Sequence, residues 1–187
     1  MEDEKGYRKE LWSQLTEAYA KEVYTRQTYN VAANGLQRLS SGISIVQIVL
    51  TAVSTVGFIG VLLGQTYLAA VYASAASVVA LGFNLYTRGA KLTERVAQHV
   101  QTANDLWLIE NRFTSLLTDF DEIPVELICE RRDALISELD GVYRKAPRTT
   151  RRQYEKAKKD LKIEGAQSFE DGEVDTLLPA NIRGKYK

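Results

Sequence analysis

The sequence predicts an all-α membrane protein: a two-helix transmembrane hairpin with long cytosolic helical extensions that form a helical bundle. Three observations carry this prediction. First, no Asp, Glu, Lys or Arg occurs between Arg38 and Arg88, a gap of 49 residues from Leu39 to Thr87. A soluble amphipathic helix carries a solvated, charged face, and this gap has no charged residue to form one. Second, apolar residues on both sides of the gap recur at three- and four-residue spacing, the period of a helix. Third, no stretch alternates with the two-residue period of a strand, and no internal repeat is visible.

The elements follow in order. Residues 1–38 form an N-terminal cytosolic amphipathic helix. Its apolar face carries Trp12, Leu15, Tyr19 and Val23, and Lys9, Glu10, Glu17, Lys21 and Glu22 surround it. Asn34-Gly35 is a candidate kink where this helix meets the membrane. Residues 39–87 form the transmembrane hairpin. A span needs about 20 apolar residues, and the gap is about twice that. Leu63-Gly64-Gln65-Thr66 breaks it near the middle. The first span, about Leu39 to Leu63, would be roughly 37 Å long, and the second, about Tyr67 to Thr87, roughly 31 Å. Residues 88–187 form the C-terminal cytosolic helical region. Here Leu92, Val96, His99, Ala103, Leu106, Glu110, Phe113, Leu117 and Phe120 make a heptad-spaced packing seam. The second span is therefore expected to run on as one long rod and to stop near Pro124. A further helix over about Val125 to Tyr143 presents Ile128, Leu135, Leu139 and Val142. Another runs from after Pro147 to about Ile163, and Pro179 breaks the tail. His99 and Glu110 are read as polar register-setting residues in the seam or as side chains that reach solvent, ahead of the alternative of a buried proton or ligand contact.

Composition narrows function by exclusion. The 24 basic and 24 acidic residues cancel, and all of them lie outside the gap, so local charge is what matters. The hairpin lies too far from the N-terminus, and is too long, to be a cleaved signal. Cys129 is the only cysteine, which leaves no internal disulfide and no paired-thiolate metal site. His99 is the only histidine. No HExxH, Walker or GxSxG motif occurs, and the Asp119-Phe120-Asp121-Glu122 cluster reads as a solvated helix end. The expectation is a protein that is not an enzyme and holds no metal or cofactor. Lys and Arg flank both spans (Arg26 and Arg38; Arg88, Lys91 and Arg95), and the loop between them has no charge. Both termini are therefore expected in the cytoplasm. Tyr67 and Tyr86 suit the two interfaces of the second span.

The charge-free gap is not uniformly apolar. Ser40, Ser44, Gln47, Thr51 and Ser54 share one face of the first span. In the second span, Tyr67, Ala70, Ser74, Ser77, Leu81 and Asn84 keep a similar register. Two readings stand. In one, these stripes pack helix on helix, aided by the small-residue spacings of Gly60 with Gly64 and of Ala69, Ala73 and Ser77. In the other, the first stripe lines a water path when several chains assemble, since two helices cannot enclose one alone.

Tyr143 to Lys159 holds eight basic residues against one acid, Glu155. Arg144, Lys145, Arg148, Arg151 and Arg152 are candidate contacts for a phosphate-bearing ligand or for anionic headgroups. The third reading is a solvated helix face. The aromatic residues there are too sparse to argue for a nucleic-acid polymer.

Several stretches in this order resemble the SLATT family, the two-transmembrane effector domains associated with bacterial nucleotide-second-messenger systems. They are "YTRQTYNVAANGLQR" before the first span, "ISIVQIVLTAVSTVGFIG" within it, "APRTTRRQYEKAKK" in the basic stretch and "DGEVDTLLPANIRG" near the end. The resemblance covers about Trp12 to Arg183. It implies a multi-pass protein of the bacterial inner membrane that serves antiviral defence. On that implication the protein oligomerises with its own copies into a pore and kills the infected cell. The runner-up is a membrane anchor or adaptor that recruits a cytosolic partner and conducts nothing. No appended sensor domain is visible. The expected trigger is therefore a ligand on the cytosolic helices, such as a cyclic nucleotide, or a separate sensor or synthase protein.

Overall fold

The computed structural model describes residues 2–62, 67–163, 177–180 and 182–184. Five helices make up the described chain: α1 (Glu2–Leu62), α2 (Tyr67–Ala90), α3 (Leu92–Thr118), α4 (Val125–Lys145) and α5 (Arg151–Ile163). No strand occurs among the described residues. The chain divides into two compact units. One joins residues 1–32 to residues 98–187, and the other is residues 33–97. The first and last parts of the chain thus fold together, and α1 and α3 each contribute to both units.

The first unit is a helical bundle. The apolar face of α1 is buried through Leu11, Trp12, Leu15, Tyr19 and Val23. The expected α3 seam is buried at His99, Ala103, Leu106, Phe113, Leu117 and Phe120, and α4 adds Ile128, Leu135 and Leu139. Trp12 meets Phe120 edge to face, with ring centroids 5.1 Å apart, a geometry that aromatic quadrupoles favour. Arg8 closes the turn between α3 and α4. Its guanidinium donates to the Phe120 and Ile123 carbonyls, both at 3.0 Å. These carbonyls lie just beyond the end of α3, where the helix itself supplies no donor. Leu178 and Ile182 of the tail enter the same core, and the Tyr19 hydroxyl donates to the Leu177 carbonyl at 3.2 Å. The residues on either side of Pro179 are therefore part of the bundle.

α5 begins with a cap that the sequence spells as Thr150-Arg151-Arg152-Gln153. The Thr150 N–H donates to Gln153 Oε1 at 2.7 Å, and the Gln153 N–H points at Thr150 Oγ1 at 3.4 Å. This is the reciprocal capping box, which supplies partners at a helix start. Ala157 on α5 is fully buried and Leu161 packs against the core.

The second unit is the hairpin. Its apolar residues point outward: Ile48, Val56 and Val78 are each about 70% exposed. Only 6% of the most apolar stretch of either long helix is buried. A core helix of a soluble protein would bury that stretch, so these two helices present a surface suited to lipid. The expected break at Leu63-Gly64-Gln65-Thr66 lies outside the described residues. The single rod expected beyond the second span is interrupted. α2 ends at Ala90, Lys91 takes φ 46°, and α3 starts at Leu92. One left-handed residue is a common way to end a helix. The Lys91 ammonium pairs with Glu94 at 3.1 Å, and the Arg95 N–H donates to the Lys91 carbonyl at 3.0 Å. These bonds hold the interruption in place.

Candidate functional site

The polar stripe of the first span divides in two. Ser40, Ile43, Gln47, Leu50 and Ser54 are the less exposed positions of this stretch of α1. Their spacing is that of a helix-packing seam. On α2 the less exposed described positions are Ala70, Ala73, Ala76, Ala80, Phe83, Thr87 and Ala90, and the four alanines before Phe83 make a small-residue face that lets a neighbouring backbone approach closely. Gln47 Nε2 donates to Asn84 Oδ1 at 3.4 Å and links the two spans. Ser44 and Thr51 lie on the exposed side, beside Thr55. Each hydroxyl donates back to the carbonyl four residues earlier: Ser44 to Ser40 at 3.0 Å, Thr51 to Gln47 at 2.8 Å, Ser54 to Leu50 at 2.9 Å and Thr55 to Thr51 at 2.9 Å. The hydroxyl protons are thus satisfied within the helix.

On the second span, Tyr67, Ser74, Ser77, Leu81 and Asn84 are exposed, and of the expected stripe only Ala70 shares the covered face. Alanine rather than serine therefore makes the covered face of α2. Ser77 donates to the Ala73 carbonyl at 2.9 Å. Gly60 and Ala69 lie within α1 and α2, and Gly64 lies outside the described residues.

A second polar cluster is buried in the bundle. Glu22 on α1 is only 6% exposed and accepts a 2.5 Å hydrogen bond from the Tyr143 hydroxyl on α4. Arg26, one turn further along α1, donates from Nε to Glu110 Oε2 on α3 at 2.6 Å. Three helices therefore meet at two carboxylates and one guanidinium. Burial raises the Glu22 carboxyl above the usual carboxylate range. The Tyr143 hydrogen bond opposes this, the Glu110 carboxylate adds to it, and Lys21 lowers it. Burial, together with the bond to Glu22, also raises the Tyr143 hydroxyl. The His99 ring lies 5.8 Å from the Tyr29 ring, centroid to centroid. Of the two seam residues, then, Glu110 is paired and His99 is buried against an aromatic ring. In the sequence Glu22 falls among the charged residues around the apolar face of α1, and the structure buries it. One legible signal was its four-residue spacing to Arg26, with Glu110 in the facing seam.

The basic stretch is laid out along the end of α4, a short link and the outer face of α5. Arg144, Lys145, Arg148, Arg151 and Arg152 are all exposed. Arg144 pairs with Asp140 at 2.7 Å, and Arg151 approaches Glu155 at 3.8 Å. Both pairs are local and open to water, where they are worth little. The described residues contain no cluster of three or more metal-ligating side chains.

Fold and site together define an all-α protein domain with two membrane-length helices and a helical bundle. Residues 11–173 match the family described as SMODS and SLOG-associating 2TM effector domain family 4, and the chain belongs to that family. No curated protein and no solved structure matches the chain.

Proposed function

We propose that this protein is a membrane effector of a bacterial antiviral defence system linked to nucleotide second messengers. Its copies assemble in the inner membrane, with both termini in the cytoplasm, and open a pore whose leak kills the infected cell. Membership of a two-span effector family supports the class. The observation that carries the pore is the exposed side of the first span. Ser44 and Thr51 place exposed hydroxyl oxygens on a membrane-length helix, each bonded only to the carbonyl four residues earlier in its own helix among the bonds described. Lipid offers such atoms no partner, whereas water or a second copy does. In this reading Ser40, Ser44, Gln47, Thr51 and Ser54 border the path, and the alanine face of α2 supports them from behind. The trigger reaches the cytosolic bundle as a phosphate-bearing ligand such as a cyclic nucleotide, or as a separate sensor or synthase protein. Arg144, Lys145, Arg148, Arg151 and Arg152 are the exposed groups that would meet it. No nucleic-acid polymer is expected as a partner.

One observation favours the second reading, a non-conducting anchor. The Gln47 bond to Asn84 and the back-bonded hydroxyls already use much of the stripe within one chain. The experiment therefore measures two quantities on one sample. Gln47→Leu with Thr51→Leu makes the face apolar, and an apolar constriction dewets and closes. With the oligomer intact, ion flux into liposomes should fall sharply, as a dewetted constriction conducts poorly. Loss of the oligomer would assign the stripe to packing. Unchanged flux from an intact oligomer would remove the stripe from the path. No flux from the unsubstituted, triggered protein would favour the anchor.

A further inference from the structure

The seam of α3 that faces the bundle has a counterpart on the outer side of the same helix. Val100, Asn104, Trp107 and Asn111 are spaced four, three and four, and Leu108 and Ser115 flank them. All six are exposed: Trp107 is 51% and Leu108 52% accessible. None carries a charge, although α3 holds Glu94, Arg95, Asp105, Glu110 and Arg112 elsewhere around its circumference. From this we infer that the outer face of α3, centred on Trp107, is a parallel coiled-coil seam between copies of this chain. Asn104 and Asn111 occupy its polar register positions.

Three arguments choose a second copy over a foreign protein. The first is charge. In a parallel homotypic seam each residue lies near its own counterpart, so any charge there would meet its like. A charge-free stripe is what such a seam requires and is not something a heterologous partner demands. The second is the pair of asparagines. They stand seven residues apart, one heptad, so both occupy the same kind of position. A side-chain amide both donates and accepts, so it can bond to its own copy. Asn111 spends one N–H on the Trp107 carbonyl at 2.9 Å, and an amide has a second N–H and an oxygen. A polar residue at such a position fixes register and oligomer number at a cost in stability. The third argument is size. The stripe is about 22 Å long at about 1.5 Å per residue. It offers six residues, where a stable interface between free proteins uses roughly 20–30 a side. So small a face suffices when the partners are already concentrated and aligned. This argument, and the parallel direction, rest on the membrane reading above, because copies inserted in one bilayer share one orientation.

The test uses the full chain, in membranes, in a Cys129→Ser background. Asn104→Cys and Asn111→Cys should each cross-link to its own copy on mild oxidation, and Glu130→Cys on α4 should not. Equal cross-linking at Glu130→Cys, or none at either asparagine position, would overturn the inference. When the two cysteine variants are co-expressed, 104-to-111 cross-links in place of like-to-like ones would show an antiparallel seam and also overturn it. As a second measurement, Trp107→Glu places like charges across the seam. It should weaken self-association roughly 30-fold or more, as loss of a buried aromatic anchor does. The melting of the helices should stay unchanged, because Trp107 is outside the core. An unaltered oligomer in Trp107→Glu would give the face to another partner and sink the seam. The outcomes separate from those of the pore: like-to-like cross-links without ion flux keep the seam and reject the pore. Full flux with an undisturbed Trp107→Glu oligomer does the reverse.

Discussion

Glu22 joins α1 to α4 through a single hydroxyl, and its carboxyl is raised chiefly by burial. For an acid of this kind the folded bundle favours the protonated form. Its contribution to stability is fully present below the unfolded carboxylate pKa, about 4.3, and is lost as pH rises through the higher folded value. Above that unfolded value, ionising Glu22 is therefore a cost to the fold that its neighbours only partly offset. Glu22→Gln should raise the unfolding midpoint at pH 7 and leave it nearly unchanged in acid. A denaturation series against pH checks this, and a lower midpoint at pH 7 would count against it. Tyr143→Phe should do the opposite. It removes the donor to a buried carboxyl oxygen, which left unsatisfied costs about 1–3 kcal/mol. Arg26 stands differently, since its guanidinium neutralises Glu110 across a 2.6 Å contact. Arg26→Ala leaves a largely buried carboxylate alone and should cost roughly 3 kcal/mol, read by chemical denaturation of the full chain.

At the scale of elements, α5 shows how a short helix is held at one end by its cap and along one face by the core. Ala157 and Leu161 bind it to the bundle, and the Thr150–Gln153 pair fixes its first turn. Thr150→Ala should cost about 1 kcal/mol, seen as faster hydrogen exchange in the first turn of α5 while α1 and α3 keep their protection. The arginines beside that cap are spread over a link and a helix face that point to water. If they meet the trigger, Arg148, Arg151 and Arg152 changed together to Gln should weaken triggering by about two orders of magnitude, at about 1 kcal/mol per basic residue near an anionic partner. Toxicity in cells after triggering reads this. Unchanged toxicity together with unchanged membrane attachment would make the stretch a solvated face.

For the whole molecule, the distribution of charge predicts how it sits in the bilayer. Lys and Arg lie before the first span and after the second, and Leu63 to Thr66 carry no charge, so the loop should be the part that crosses. A cysteine at Gln65, in a Cys129→Ser background, should react with an impermeant thiol reagent from outside the cell. Labelling from the cytoplasmic side alone would reverse the topology and remove the cytosolic bundle from the proposal.

Much of this was written in the sequence by itself. A 49-residue gap without charge determines two membrane-length helices, because no soluble fold of this size could cover such a stretch. The heptad run from Leu92 to Phe120 likewise determines which face of α3 is buried, because a 3.5-residue repeat leaves one stripe to pack. Periodicity, however, reports only which residues share a face, and not what that face meets. It could not show that Glu22 is buried, since that depends on α4 returning to bring Tyr143 to it. Nor could it show that Leu178 and Ile182 enter the core from either side of Pro179, or that Lys91 interrupts the rod, a matter of one backbone angle. It also left open which half of the polar stripe is covered, and alanines on α2 decided that. Local composition determines helices and their faces. Contacts between residues far apart in the chain decide which polar groups leave water, and those are the groups whose chemistry changes.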